Sequence, residues 1–250
     1  MAVKYKKPEM INQQVGWCGG CGHGIIQRLI AECCEEMGLA EKTIQVLDIA
    51  CAYWSIDTMS CDGIAGPHGR CAAVATGIKS VHPDANVYVH AGDGCSYVIG
   101  LSETCFAAQR NVPITMIVVN NGIFGMTGGQ MCQATTLVGD KTVSSKKGRS
   151  LEHDGKPVDM LNIIKNYDIA YAARGALYDP KHIDETKKMI KKGFENQRDG
   201  KGFSIIEILS PCPTNWKLSP VESMEKIKNE TEKIFPVKVY VDKDGGEIDG

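Results

Sequence analysis

The chain has 250 residues, 43% of them hydrophobic and 23% charged, with a net charge of -2; that is enough for one large α/β domain or two small ones. The near-neutral charge gives no reason to expect nucleic acid as a partner, and no apolar run approaches the roughly 20 residues that span a bilayer. The opening MAVKYKKPEM has lysines but no apolar stretch behind them, so no secretory signal and a cytoplasmic location are predicted.

The first informative stretch is GWCGGCGHGII, residues 16–26, where Cys18 and Cys21 sit among glycines. A zinc site, a redox dithiol and an iron–sulfur cluster all use C-x-x-C, so the motif alone does not choose. Ile26, Leu29, Ile30 and Cys33 follow at helical spacing, predicting a helix over 23–37 that ends before Gly38. Residues 43–51 read as a buried strand ending at Cys51, 71–82 as a short helix, and 86–94 as a strand running into a glycine turn. A helix over 96–110 and an apolar strand over 112–121 come next, then the loop GIFGMTGGQM. The polar, lysine-rich segment 139–157 is predicted to be mobile.

The second half repeats the alternation, with helices over 159–167 and 181–194 and strands over 169–173 and 203–210. Strands that are apolar throughout and separated by helices predict an α/β fold with a mostly parallel sheet covered on both faces. Residues 216–250 are polar and read as a C-terminal extension to a domain covering 1–215. The lysines at 141–149 and 186–192 suit either an acidic docking partner or a solvated face, and the solvated face is the simpler reading.

Eleven cysteines, an odd count without a signal, point to reduced thiols rather than a disulfide framework. So many thiols suit a strongly reducing, anoxic cell. Cys33, Cys34 and Cys105 lie in helical stretches and read as packing residues.

The stretch most specific for chemistry is AGDGCSYVIG, beginning at Ala91. A strand delivers Gly92, Asp93 and Gly94 to its C-terminal end, where open α/β sheets bind ligands. The glycines let main-chain amides approach a phosphate, and the following helix N-terminus favours its charge. One crossover helix later, the next strand brings Asn121 to the same edge. A carboxylate and an amide oxygen are hard ligands suited to Mg²⁺ that also holds phosphate oxygens. A lone G-D-G is most often just a tight turn; here the strand, the crossover helix and the Asn120–Asn121 pair agree.

That combination resembles the diphosphate-binding signature of thiamine diphosphate enzymes. By this resemblance Asp93, the Asn121 side chain and the Ile123 carbonyl would hold Mg²⁺. WCGGCGHG, IAC at 49–51, GPHGR at 66–70, GDGCSYVIG, NNGIFGMTGGQ and LSPCPTNW at 209–216 occur in one order. In that order they resemble the β subunit of 2-oxoacid:ferredoxin oxidoreductases over roughly residues 10–220. The resemblance implies a [4Fe–4S] cluster on Cys18, Cys21, Cys51 and Cys212. It also implies cofactor contacts from Cys51, His68, Gly92, Gly94, Cys95, Gly125, Met126 and Thr127.

His68 and Arg70 would serve in diphosphate contact or proton handling, against the plainer reading of a loop histidine and a solvated arginine. Cys61, Cys71, Cys95 and Cys132 match no ligand role and read as packing. Zinc is the alternative for four cysteines, although zinc ribbons usually supply two paired knuckles and only one C-x-x-C exists here.

The implied reaction is the coenzyme A-dependent oxidative decarboxylation of a 2-oxoacid, with ferredoxin taking the electrons. A larger alpha subunit would supply the glutamate that activates the cofactor, with gamma and delta subunits as further partners of the family. Members acting on dicarboxylic 2-oxoacids tend to place a cation after the third cluster cysteine or in the G-[LM]-T-K-G-Q loop. Here those positions read Ala52-Tyr53-Trp54 and Gly125-Met126-Thr127-Gly128-Gly129-Gln130. An apolar substrate such as 2-ketoisovalerate is therefore expected, with pyruvate and 2-oxoglutarate as alternatives. Outside that reaction stand a non-oxidative thiamine decarboxylase subunit and a zinc-stabilised interaction module.

Overall fold

Alternating apolar strands and helices build a seven-stranded sheet in the computed structural model of the chain, which describes residues 6–13 and 16–245. In chain order its strands are β1 (Thr43–Asp48), β2 (Asp62–Gly66), β3 (Asn86–Gly92), β4 (Thr115–Asn120), β7 (Tyr171–Ala176), β8 (Ser204–Leu209) and β9 (Lys238–Asp242). A two-stranded hairpin, β5 (Ile123–Phe124) with β6 (Gln130–Met131), stands apart. The order across the sheet is β2-β1-β3-β4-β8-β7-β9, and every pairing is parallel except β7 with β9.

Side chains alternate between two cores because successive strand residues point to opposite faces. On one face Val87, Val89 and Ala91 pack with Ala72 and Ala75 of α2 (Cys71–Val81) and Ala107 and Ala108 of α3 (Leu101–Gln109). Leu161 and Ile164 of α4 (Met160–Ile164) complete that layer. On the other, Tyr88, Ile117 and Ile206 meet Ile26, Leu29 and Ile30 of α1 (His23–Glu36) and Ile190 and Phe194 of α5 (Pro180–Arg198). The α5 start follows from Asp179, whose side chain accepts from the His182 amide, and from Pro180 in the first turn.

The expected helix 96–110 is divided. A π-helical turn over Gly94–Ile99 precedes α3, and the break falls at Gly100. The edge strand β2 lies where no strand was expected, because its first three residues are exposed and form no apolar run.

Two further departures concern the tail and the lysine-rich segment. Residues 216–245 are not set apart from the sheet. After α6 (Pro213–Trp216), α7 (Pro220–Lys226) and α8 (Glu232–Ile234) the chain returns as β9 and covers the β7 edge. Segment 139–157 is not loose but wraps Arg149, which is 3% exposed. Its guanidinium donates to the carbonyls of Gly155 (3.0 Å), Thr136 (2.8 Å), Asp154 (3.2 Å) and Lys156 (2.9 Å).

Candidate active site

The C-terminal ends of β2, β1, β3, β4 and β8 release His68, Asp48 with Cys51, Asp93, Asn121 and Cys212 to one edge of the sheet. A pocket there is lined by Asp48, Cys51, His68, Gly92, Asp93, Gly94, Cys95, Asn121, Ile123 and Gly125, joined by His23, Ala50, Ala52 and Phe124. The expected diphosphate residues therefore converge. Met126 and Thr127 do not line it. Met126 is exposed, and the Thr127 hydroxyl donates to Gln130 Oε1 at 2.6 Å. Arg70 also turns away, pairing on the surface with Glu103 of α3.

Asp93 is 1% exposed. Its Oδ1 accepts from the Gly94 amide at 3.0 Å and its Oδ2 from the Gly122 amide at 2.8 Å and the Thr135 hydroxyl. Burial nevertheless pushes its carboxyl up to about 6, as expected where a cation would offset the charge. Among the described residues one acceptor position on Oδ1 stays open, and so does one on Asn121 Oδ1, which accepts the Ile123 amide at 3.2 Å. These open oxygens fit a hard divalent cation. Gly94 has no room for a side chain: a Cβ there would lie 2.3 Å from the Phe124 ring. The neighbouring Asn120 points inward instead, donating to Glu207 Oε1 at 2.9 Å.

The four expected cluster cysteines meet beside this pocket. The Trp17 indole donates to the Cys51 carbonyl at 2.8 Å, and the Gly22 amide to the Pro211 carbonyl at 3.4 Å, tying C-x-x-C to both distant cysteines. A Cβ added at Gly125 would stand 3.3 Å from Cys51 Sγ and 3.9 Å from Cys212 Sγ, so the main chain there packs close to both sulfurs and a side chain would crowd Cys51. Asn215 donates to Cys212 Sγ at 3.5 Å and to the Gly125 carbonyl at 3.2 Å. Burial pushes the Cys21 thiol up to about 12 and the Cys51 thiol to about 11, with the other thiols of the set raising both further. Such thiols need a metal to ionise them.

Cys71, Cys95 and Cys132 are buried as packing residues, while Cys61 is half-buried against the α1 core. Cys95 also touches the pocket, with its sulfur accepting the Gly69 amide at 3.2 Å. Three contributors were missed from sequence. His23 is buried against His90 with its ring stacked on Trp17, Phe124 lines the pocket, and Asp48 pairs with His68. Only the glycine-rich context of His23 carried any signal for it.

Residues 48–208 match the family of the thiamine pyrophosphate enzyme C-terminal TPP binding domain. The ketoisovalerate oxidoreductase subunit VorA of Methanothermobacter thermautotrophicus is 41% identical over 91% of this chain and 48% of its own length. The chain thus spans about half the length of that relative. The 2-oxoglutarate synthase subunit KorB of Methanocaldococcus jannaschii is 35% identical over 86% of this chain and 75% of its own. Among solved structures, the 2-oxoglutarate:ferredoxin oxidoreductase from Magnetococcus marinus, with 2-oxoglutarate, coenzyme A and succinyl-CoA bound, superposes with a TM-score of 0.72 at 27% identity. That match covers 84% of this chain and 69% of the other. The sheet edge, its G-D-G turn and these relatives agree: the chain belongs to the thiamine diphosphate-binding subunits of the 2-oxoacid:ferredoxin oxidoreductase family.

Proposed function

We propose that the chain is the cofactor-binding part of an enzyme converting a 2-oxoacid and coenzyme A to an acyl-CoA and CO₂, with two electrons passing to ferredoxin. The observation that carries this is the meeting of four thiols and the Asp93–Asn121 pair on either side of Gly125, at one sheet edge. Thiamine diphosphate, when bound, supplies the electron sink for decarboxylation, and a [4Fe–4S] cluster a one-electron outlet.

The residues of the chain have distinct tasks. Asp93, Asn121 and the Ile123 carbonyl hold Mg²⁺, while Gly92 and Gly94 let the main chain approach the diphosphate. Cys18, Cys21, Cys51 and Cys212 hold the cluster. Among the described residues no three of those sulfurs lie within 4.8 Å of one another. Zinc, with Zn–S of about 2.3 Å, draws its sulfurs to within about 4 Å; the wider spread favours a cluster.

For substrate we favour 2-ketoisovalerate or another branched-chain 2-oxoacid. No lysine or arginine lines the pocket among the described residues, and Tyr53, Trp54 and Met126 are exposed apolar surface on the flanking segments. The similarity to a ketoisovalerate oxidoreductase subunit points the same way. Partner subunits complete the site, including the activating glutamate.

The test is the iron, sulfide, zinc and thiamine content of anaerobically purified protein with its co-purifying chains. One thiamine and about four irons and four sulfides on this chain are expected. Zinc without thiamine would return it to a structural role, and thiamine without iron would make it a non-oxidative decarboxylase subunit. Faster turnover of 2-oxoglutarate than of 2-ketoisovalerate would overturn the substrate assignment.

A further inference from the structure

Asp48 ends β1 and is 1% exposed, yet it lines the same pocket as Asp93. Its Oδ1 lies 2.6 Å from His68 Nδ1, while its Oδ2 has no hydrogen-bond partner among the described residues. A carboxylate withdrawn from water with one oxygen unsatisfied is costly unless a cation stands beside it. The lining offers few. No lysine or arginine is among the described lining residues, and the other lining histidine, His23, has its ring engaged by buried His90 at 3.1 Å. Among the described lining residues, only His68 can supply a positive charge.

His68 needs the help. It sits in the turn after β2, closed by the Arg70 amide on the Pro67 carbonyl at 2.9 Å, and its side chain is 31% exposed. Apart from Asp48, its ring has an edge contact to Phe124 at 5.9 Å and Cys95 beside it.

We propose that Asp48 is a positioning residue: it accepts the Nδ1 hydrogen of His68 and so fixes a cationic imidazole in the pocket wall for the cofactor's diphosphate. This rests on the thiamine diphosphate reading above. The charge state agrees with the geometry, since the Asp48 hydrogen bond, aided by Cys95, raises His68 to about 10. The groups facing the imidazole are Asp48 from β1, Cys95 after β3 and Phe124 from β5. Cys71 of α2 stands behind, within 4.8 Å of Asp48 and Cys95, and Glu103 is engaged by Arg70.

The test measures thiamine diphosphate affinity, with Mg²⁺, for the cofactor-stripped complex carrying Asp48→Asn, His68→Gln or both. Because the ligand's own phosphates titrate, each variant is compared with wild type at the same pH. Near about pH 8 each single variant binds about tenfold to a hundredfold more weakly, the range for a charge-assisted hydrogen bond. Without Asp48 the imidazole returns towards its ordinary pKa, so at about pH 5.5 it charges unaided. Asp48→Asn then recovers to within about threefold of wild type, whereas His68→Gln does not recover. The double variant is no weaker than His68→Gln alone.

Unchanged affinity in Asp48→Asn would overturn the proposal, as would a loss that is equal at both pH values and adds to that of His68→Gln. Half-exposed His68 tolerates glutamine, so unchanged affinity there would also overturn it even if Asp48→Asn failed to fold. Wild-type protein that binds no thiamine diphosphate overturns both readings, whereas normal wild-type binding with an unaffected Asp48→Asn overturns this one alone.

Discussion

His23 and His90 show how much a single buried contact can set. His23 Nδ1 lies 3.1 Å from His90 Nε2, and both residues are almost wholly buried between the C-x-x-C segment and β3. One ring must donate and the other accept, so the accepting ring is neutral, and burial disfavours charge on the donor as well. Burial pushes His23 from its ordinary 6.5 down to about 4, and burial with His23 beside it holds His90 well below. A group whose folded-state pKa is depressed contributes stability above its unfolded pKa and loses it as pH falls. The protein should therefore weaken on acidification below about pH 6.5, by on the order of 2 kcal/mol at pH 5 from His23 alone. In His90→Gln one of the two titrations is gone, and the fall in urea midpoint between pH 7 and 5 should be shallower. An identical fall would remove the pair from the account. Neither histidine was visible as a pair in the sequence, because they come from different elements 67 residues apart.

At the scale of elements, a buried charge network joins β7, β8, β9 and the α4 cap and extends to β4 and the π-helical turn. Arg174 of β7 is fully buried and bonds Glu207 of β8 at 2.7 Å and Asp159, the α4 cap, at 2.5 Å. It also donates to the Pro236 carbonyl at 3.2 Å and to the Tyr240 hydroxyl of β9. Glu207 in turn accepts from Asn120 and Tyr97, so the network reaches the residue next to Asn121. Arg174→Met would strand two acidic groups and should cost about 3–5 kcal/mol. A matching fall in thermal midpoint checks this; a loss below about 1 kcal/mol would show the ion pairs to be interchangeable with packing.

The apolar strands and their alternation with helices were legible because burial on both faces writes itself as an apolar run. Edge strands carry no such signature: β2 is mostly exposed, and Lys238, at the start of β9, is exposed too. The path of 139–157 depends on one buried arginine, which composition cannot reveal.

For the whole molecule, the pocket opens at a sheet edge where Ile49, Tyr53 and Trp54 remain 52%, 38% and 51% exposed. On the proposed reading, so uncovered a site supplies only the diphosphate half and relies on a partner subunit to activate the cofactor. The chain purified alone should bind thiamine diphosphate and Mg²⁺ yet release CO₂ from a 2-oxoacid at least about a hundredfold more slowly than the assembled enzyme, the contribution of one general acid–base group. Native-rate decarboxylation by this chain alone would contradict the split site. That the G-D-G turn and its asparagine meet at one sheet edge was readable from chemistry and position. The four-cysteine set came from resemblance, since one C-x-x-C and two isolated cysteines have no spacing rule that unites them. Asp48 was not readable at all, because its partner lies 20 residues on, across a strand and a turn.

Gly125 packs its bare backbone on Cys51 and Cys212 only two residues beyond Ile123. On the proposed reading, the loop that presents a carbonyl to Mg²⁺ is therefore moulded against the inorganic centre. Loss of the cluster would then loosen the loop that faces the thiamine diphosphate. Iron starvation or a burst of oxygen would leave newly made chains poor in thiamine as well as in iron, however plentiful the vitamin is.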